Sequence, residues 1–368
     1  MKRLTLGDVC KKEYSNIAQK NLQDKKGAYP IYGASGLIKQ VDFYQQDKEY
    51  IAVVKDGAGI GRTMLLPAYS SVIGTMQYLL PKEGIPIDIK YLFYAVEHMN
   101  LAKYFSGATI PHIYFRDYQK EPINIPDIET QRKISQIFGK IDALITSRKE
   151  QRTKLDQIVK SRFIEMFGEP ENNNKAWPVK SLDKLCTVGS SKRVYQSEQS
   201  SEGVPFWRIS DLVSKIDTGT VDSALFISEI KYTELKRAGL VPVTGDILVT
   251  SRGTLGRCYI IQDEDCFYFQ DGMISWLSNY SEEITPLYLQ YLFTMSGFRK
   301  QIDNTQAGST VAYFSIAMLK KLQVMVPDKA LQEQFAAFVA QTDKSKYRQE
   351  KYIGFFQCLE KSIRQEWL

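Results

Sequence analysis

The residues whose types and spacing most readily suggest a chemical function form a glycine-rich string, GAGIG at 57–61. Its spacing could suggest a nucleotide site. However, the string lies between two segments rich in valine and isoleucine and no helix pattern follows it, so a dinucleotide-binding turn is not expected. A related string at 253–256 keeps two of the three glycines. Both are predicted to be tight turns between strands.

Motifs for other kinds of catalysis are missing or incomplete. No GxxxxGK[ST] or GxSxG string occurs, and the chain has two histidines and no CxxC pair among its five cysteines. NIPD at 124–127 lacks the second proline and the aromatic residue of a DNA amino-methyltransferase motif, and PIDIK at 86–90 is a weak match to a nuclease motif. The sequence therefore predicts no catalytic residues, no metal site and no cofactor bound by this chain.

Polar, basic and aromatic residues instead recur at equivalent places in the two halves of the chain. Arginine is the commonest reader of guanine edges and also binds phosphate, and polar loops on a rigid scaffold suit the major groove. The alternative for each residue is a solvated surface side chain or a buried aromatic ring. The candidates for DNA contact are Tyr32, Lys55, Asp56, Arg62, His112, Tyr114, Lys192, Arg193, Arg208, Ser251, Arg252, Arg257 and Tyr313.

Two long helices are predicted to position these residues, at 127–168 and 327–368. The first begins at Pro126-Asp127, which suits a helix start, and ends at Gly168 and Pro170. Arg148 and Arg152 interrupt its apolar stripe. The residues predicted to pack the helices together or against partners are Ile134, Phe138, Ile141, Ile145, Leu155, Val159, Phe163, Phe335, Phe338, Phe356, Leu359, Ile363 and Trp367.

An internal duplication explains why there are two such helices. Residues 107–143 align with 308–344 without a gap, each pair 201 positions apart. Pro126-Asp127 then meets Pro327-Asp328, and Gln131 meets Gln332. Upstream, 50–66 aligns with 245–261, and 29–36 aligns with 204–211. The chain is thus predicted to be two versions of one unit, each a globular block followed by a long helix.

Each block is predicted to be α+β, with a strand-rich core. The predicted domains are 1–126, the helix 127–168, 169–326 with a short linker at 169–175, and the helix 327–368. The offset between the copies rises along the chain, so the second block carries insertions in its first half, which are expected to lie in loops. Segments 88–100 and 285–297 are each expected to form a short amphipathic helix.

Composition sets broad limits on function. The chain has 368 residues and a net charge of +6, which is compatible with binding nucleic acid but does not by itself argue for it. No apolar run approaches 18 residues and no secretion signal opens the chain. Together with the scattered cysteines, this predicts a cytoplasmic protein with reduced thiols and no membrane partner.

In combination, these motifs resemble the specificity subunit of Type I restriction–modification systems. The resemblance rests on YGASG, YIAVVKDGAGIGR and SGATIPHIYFRDYQKEPINIPDIETQRKI in the first half. In the second half it rests on ILVTSRGTLGR and AGSTVAYFSIAMLKKLQVMVPDKALQEQF. It covers the whole chain, with two departures: AYF at 312–314 replaces PHI at 111–113, and the helix seam around Arg148 is polar.

The resemblance implies two target recognition domains, each reading one half of a bipartite, asymmetric site on double-stranded DNA. It implies that the two helices pack antiparallel as a coiled-coil-like spacer with pseudo-two-fold symmetry and dock two methyltransferase (modification) subunits. Restriction (translocase) subunits would join through that complex. S-adenosylmethionine, ATP and Mg would act on those partners. The last 24 residues, 345–368, are expected to serve partner docking and to be dispensable for the folding of both blocks.

Two alternatives remain open at this point. The chain could be a self-contained DNA-modifying enzyme with an unrecognised motif, which would methylate DNA without a partner. It could instead be a coiled-coil scaffold that does not contact DNA.

Overall fold

A computed structural model of the protein describes residues 2–107, 111–304 and 313–368. The chain divides into two compact units. Unit 1 comprises Met1–Gln151 and Gln349–Leu368, and unit 2 comprises Arg152–Arg348. The division falls inside both long helices, so each helix contributes a segment to each unit. None of the helices in the described ranges combines the length and hydrophobicity that crossing a membrane requires.

In unit 1, the described residues form three small sheets with helices packed against them. Its strands are β1 (Lys2–Thr5), β2 (Cys10–Tyr14), β3 (Tyr29–Gly33), β4 (Gly36–Val41), β5 (Tyr50–Val54), β6 (Thr63–Leu66), β7 (Ser71–Val72), β8 (Met76–Pro81) and β9 (Pro122–Ile125). Its helices are α1 (Leu6–Val9), α2 (Ile89–His98), α3 (Phe115–Tyr118) and the first part of α4 (Ile128–Phe167), and the end of the second long helix completes it. The sheet orders are β2-β8-β5-β6, β4-β3-β7 and β1-β9. Strand β5 is buried along its whole length, as its run of apolar residues requires.

Unit 2 repeats this plan with additions. Its strands are β10 (Val179–Ser181), β11 (Thr187–Gly189), β12 (Gln199–Ser200), β13 (Val204–Trp207), β14 (Phe226–Ile227), β15 (Ile247–Thr250), β16 (Cys258–Ile260), β17 (Tyr268–Phe269), β18 (Ile274–Ser278) and β19 (Gln323–Met325). Its helices are α5 (Ile209–Thr218), α6 (Glu229–Arg237), α7 (Pro286–Leu292), α8 (Ser296–Asn304), α9 (Ile316–Lys320) and the first part of α10 (Lys329–Trp367). The end of α4 completes it.

The two units share one topology. The four-stranded sheet of unit 2 has the order β11-β18-β15-β16, which matches β2-β8-β5-β6 strand for strand. In both units one strand pair of the second sheet is parallel, β3 with β7 and β13 with β17. The predicted α+β class and internal repeat are therefore confirmed. The part of the duplication at 108–110 and 308–312 lies outside the described residues.

The insertions of the second block differ from the prediction that they lie in loops. Helices α5 and α6 occupy the region where the offset between the two copies grows. Leu212 of α5 and Leu235 of α6 are buried in the core of unit 2. These insertions therefore add folded, packed structure to the second block.

The first long helix, α4, begins directly after the predicted capping residue. The Asp127 carboxylate accepts a hydrogen bond from the backbone N–H of Thr130 at 2.9 Å, which satisfies one of the free donors at the start of α4. At the other end, Gly168 has a φ of +82° and its N–H reaches the carbonyl of Ile164. A left-handed glycine is a common way to end a helix.

In unit 2 the end of α4 packs against the start of α10. The ring of Phe163 lies edge-on to that of Phe335, with centroids 5.4 Å apart. Farther from the end of α4, Asp156 forms an ion pair of 2.7 Å with Lys346. The residue numbers fall on one segment as they rise on the other, so the two segments of unit 2 run antiparallel.

In unit 1 the start of α4 packs in the same manner against the end of α10. The Arg364 guanidinium lies over the ring of Phe138, and Arg148 lies over the ring of Tyr352. Arg148 also donates a hydrogen bond of 3.2 Å to Gln349. Arg148, which interrupts the apolar stripe of α4, therefore joins the two antiparallel segments through a hydrogen bond and a ring contact.

The C-terminal segment also packs on the globular part of unit 1. Ile363, Trp367 and Leu368 are partly buried against its core cluster. Arg364 donates to the carbonyl of Tyr94 at 3.1 Å and pairs with Glu97 at 2.5 Å. We therefore revise the expectation that residues 345–368 are dispensable for folding, because part of the core of unit 1 is covered by them.

A buried glutamine on each long helix explains one of the matched pairs in the duplication. Gln131 is fully buried, accepts a hydrogen bond from the N–H of Asp88 and donates to the carbonyls of Pro86 and Pro126. Gln332 makes the same set of contacts in unit 2, with Thr285, Glu283 and Pro327. Each glutamine ties the first turn of a long helix to the loop before a short helix.

Replacing Gln332 by alanine is expected to lower the free energy of unfolding of unit 2 by about 3 kcal/mol, since several buried backbone groups lose their partners. Gln334→Ala, at an exposed position two residues away, is the matched control and should change it by less than about 0.5 kcal/mol. Chemical denaturation with hydrogen exchange followed in residues 152–348 measures both. Equal effects of the two substitutions would contradict the stabilising role of the Gln332 hydrogen bonds.

Candidate nucleic-acid interface

Both glycine strings form tight turns between antiparallel strands, as predicted. The first turn joins β5 to β6, and Gly57, Gly59 and Gly61 all have φ near +80°. A Cβ on Gly61 would lie 2.3 Å from the backbone nitrogen of Ala102, so only glycine fits there. The second turn joins β15 to β16. A strand follows each turn, which differs from the context of a dinucleotide site.

In both units, two equivalent backbone contacts join the residues just before the turn to a distant segment of the chain. In unit 1 the N–H of Ile113 donates to the carbonyl of Lys55 at 3.0 Å, and Asp56 is bridged to His112. In unit 2 the N–H of Phe314 donates to the carbonyl of Ser251 at 2.9 Å, and Arg252 is bridged to Tyr313. Asp56 and Arg252 are therefore equivalent positions, as are His112 and Tyr313. This corrects the predicted alignment of 50–66 with 245–261, which places Ser251 opposite Asp56: the second turn is one residue shorter than the first, so the residues before it shift by one.

In unit 1 four of the predicted residues come together, and we call them the first polar cluster: Lys55, Asp56, His112 and Tyr114. The Lys55 ammonium lies 2.9 Å from one carboxylate oxygen of Asp56, and Nδ1 of His112 contacts the other. The rings of His112 and Tyr114 lie 4.2 Å apart, and Tyr114 is exposed. The cluster presents hydrogen-bond donors, an acceptor and an aromatic face at one surface.

In unit 2 the equivalent site is simpler. Arg252 is exposed, and its guanidinium carbon lies 5.2 Å from the centre of the Tyr313 ring. Ser251, in contrast, is 2% exposed, and its hydroxyl is 2.7 Å from that of Ser275. This burial argues against Ser251 as a direct contact to DNA. It instead anchors the backbone that carries Arg252.

Three other predicted arginines of unit 2 are paired with aspartates. Arg193 pairs with Asp271 at 2.8 Å, and Arg208 with Asp211 at 3.8 Å. Arg257 donates to Asp217 through both terminal nitrogens, one of them at 3.0 Å. These hydrogen bonds lower the pKa of Asp217 and raise the pKa of Arg257. In the described part of the chain, Arg252 lies against an aromatic ring and these three arginines against carboxylates.

The three remaining predicted residues, Tyr32, Arg62 and Lys192, make separate contacts. Tyr32 is half-buried against the core of unit 1, and exposed Arg62 donates to the carbonyl of Ala34 at 2.9 Å. Lys192 has an exposed side chain, and its backbone N–H donates to the hydroxyl of Tyr268.

Lys12, Tyr14 and Arg116 border the first polar cluster, although the sequence did not single them out. The Lys12 and Lys55 ammonium groups lie 4.5 and 6.0 Å from the centre of the Tyr14 ring. Arg116 lies over the ring of Tyr114 at 4.7 Å. Lys12 and Tyr14 are two positions apart on β2, so a strand pattern over CKKEY would have placed them on one face.

The predicted helix-packing residues divide by burial. Those with less than a tenth of their surface exposed are Ile134, Phe138, Ile141, Ile145, Val159, Phe163 and Phe335. Those that are partly buried are Leu155, Phe338, Phe356, Ile363 and Trp367. Leu359 is 39% exposed, which leaves much of its side chain available to a partner.

Other apolar side chains of the long helices also face solvent. In unit 1, Ile137, Leu144 and Phe355 are exposed, and in unit 2, Ile158 is exposed. Ile137 and Leu144 are seven residues apart on α4 and therefore lie on one face. Part of the apolar surface of α4 therefore points away from the chain's own core.

The sequence matches the family model described as Type I restriction modification DNA specificity domain over residues 1–157 and 174–353. It is 24% identical over 307 residues to a Haemophilus influenzae protein that bears the name of a type I restriction enzyme specificity subunit, covering 82% of this chain and 76% of that one. It is 22% identical over 303 residues to the Type I restriction enzyme MjaVIII specificity subunit of Methanocaldococcus jannaschii, covering 78% and 70%.

Solved structures show the same fold. The crystal structure of the S subunit of a Type-I restriction-modification system from M. genitalium aligns with a TM-score of 0.57 at 17% identity, over 100% of this chain and 96% of that one. A chain from a structural study of complex assembly and conformational transition of the type I R-M system aligns with a TM-score of 0.56 at 14% identity, over 99% and 96%.

Proposed function

Because this chain belongs to the family of Type I restriction modification DNA specificity domains, we propose that it is the sequence-recognition subunit of a Type I restriction–modification enzyme. In this role, each globular block reads one half of a bipartite, asymmetric site on double-stranded DNA. The observation that carries the proposal is the repetition of one reader fold with different side chains at equivalent positions. Two related but unlike readers on one chain suit two unlike half-sites.

The functional division we propose follows the predicted domains: recognition by 1–126 and 169–326, and spacing and partner docking by 127–168 and 327–368. The exposed apolar residues of α4 and α10 support docking of two modification (methyltransferase) subunits, since apolar surface on a helix favours a protein partner. Restriction subunits would join through that complex. We further propose that the assembly works in the cytoplasm.

The chemistry is proposed to belong to the partners. The modification subunits would bind S-adenosylmethionine, and the restriction subunits ATP and Mg, while this chain contributes no catalytic residue. The purified chain incubated with labelled methyl donor and duplex DNA should therefore transfer no methyl group until modification subunits are added. Methylation by the chain alone would instead indicate a self-contained enzyme.

Arg252→Ala is expected to weaken specific DNA binding by the assembled complex about 10- to 100-fold, the usual cost of losing one arginine contact to a base or phosphate. Arg257→Ala should have a smaller effect, because that side chain is already held by Asp217. Arg237→Ala, an exposed arginine outside the candidate interface, is the matched charge control. Titration of labelled duplex measures all three, and co-purification checks assembly. Wild-type affinity in the Arg252 variant would contradict the proposal and favour a scaffold that does not contact DNA.

A further inference from the structure

The equivalent positions of the two turns carry side chains of opposite charge, Asp56 in unit 1 and Arg252 in unit 2. We propose that these two residues are corresponding specificity determinants, with Arg252 reading a guanine and Asp56 reading an exocyclic amino group of cytosine or adenine. The inference rests on the proposed function and deepens it, because it assigns a base chemistry to each reader.

Arg252 meets the requirements of a guanine reader. Guanine offers two acceptors in the major groove, N7 and O6, and the planar fork of a guanidinium matches both. Arg252 is exposed, and the Tyr313 ring beneath it limits the orientations of the fork. The backbone below is anchored by buried Ser251. Arg193, Arg208 and Arg257 each lie within ion-pair distance of a carboxylate, and Arg257 donates to Asp217 through both terminal nitrogens.

Asp56 has the opposite chemistry and so suits a different base edge. A carboxylate repels phosphates, and its oxygens accept hydrogen bonds such as those from the amino groups of cytosine and adenine. Its side chain is 26% exposed, so it is accessible at the surface. Lys55 and His112 each contact one oxygen, which fixes the carboxylate and leaves it further lone pairs.

This assignment predicts a specific asymmetry of the target. One half-site should contain a G·C pair whose guanine is required by unit 2. The other should contain a base pair whose exocyclic amine is required by unit 1. Because each position belongs to one unit, a substitution at Arg252 or at Asp56 should alter the sequence requirement of one half-site only.

The test begins with mapping methylated sites for the complete complex carrying the wild-type chain, Arg252→Lys or Asp56→Asn. Lysine keeps the positive charge but lacks the fork, so discrimination at one G·C position should fall about 10- to 100-fold while the other half-site stays unchanged. Asp56→Asn should alter one position of the other half-site only. An unchanged motif in both variants overturns the inference, as does a uniform loss of affinity with a smaller salt dependence, which marks a phosphate contact.

A base analogue tests Arg252 without depending on the folding of a variant. Duplex with 7-deazaguanine at the assigned position lacks the N7 acceptor, so the wild-type complex should bind it about tenfold more weakly than normal duplex. The Arg252→Ala complex should bind both duplexes equally. Equal binding by the wild-type complex at every guanine of the site overturns the assignment. If the wild-type complex has no bipartite site at all, the proposed function fails as well, and the two failures are thereby distinguished.

Discussion

Deleting residues 349–368 is expected to lower the free energy of unfolding of unit 1 by about 3 kcal/mol, since three partly buried apolar side chains contribute roughly 1 kcal/mol each. These side chains are Ile363, Trp367 and Leu368, which cover part of the unit 1 core. The deletion also removes the ion pair between Arg364 and Glu97. The Glu97 side chain is already well exposed to solvent. Hydrogen exchange by mass spectrometry should therefore show faster exchange in residues 1–151 and little change in 152–348.

Point variants separate this packing from a general effect of shortening the chain. Trp367→Ala should reproduce part of the loss, whereas Gln365→Ala, at an exposed neighbouring position, should have no measurable effect. A deletion that leaves exchange in residues 1–151 unchanged would return the C-terminal segment to the purely docking role that the sequence suggested. Loss of partner binding alone does not distinguish a packing role of the C-terminal segment from a docking role, because both roles predict that loss.

The parts of the fold that could be predicted from the sequence depend on local rules or on the duplication. The starts of the long helices follow from the proline, aspartate and glutamine that recur at the same spacing, and the structure adds the reason for the glutamine. The turns at 57–61 and 253–256 follow from glycines between apolar strands. In each case the physical cause lies within a few residues of the pattern.

The features that could not be predicted depend on contacts between distant segments. Nothing near Arg257 indicates that Asp217, forty positions away, holds its guanidinium. Ser251 is polar and lies next to an exposed arginine, yet the pairing of β15 with β18 places it beside Ser275 in the interior. Likewise, the inserted α5 and α6 have no copy in the first block with which to compare them.

Phe163→Ala is expected to be the most destabilising single substitution considered for unit 2, lowering its free energy of unfolding by about 3–5 kcal/mol. The side chain is fully buried. Its ring stacks on Tyr288 at 5.4 Å and meets Phe167 and Phe335 edge-on at 4.8 and 5.4 Å. Alanine would leave a cavity where α4, α7 and α10 meet and would remove three aromatic contacts at once.

Phe355→Ala provides the matched control, because it removes the same side chain from a position that is 62% exposed. It should change the free energy of unfolding by less than about 1 kcal/mol. Calorimetry of the full chain is the measurement, with hydrogen exchange assigning each transition to a unit. The loss in Phe163→Ala should lie in residues 152–348, since Phe167, Tyr288 and Phe335, whose rings contact Phe163, lie there. Similar losses in the two variants, or a loss confined to residues 1–151, would contradict the packing that joins the end of α4 to the second reader.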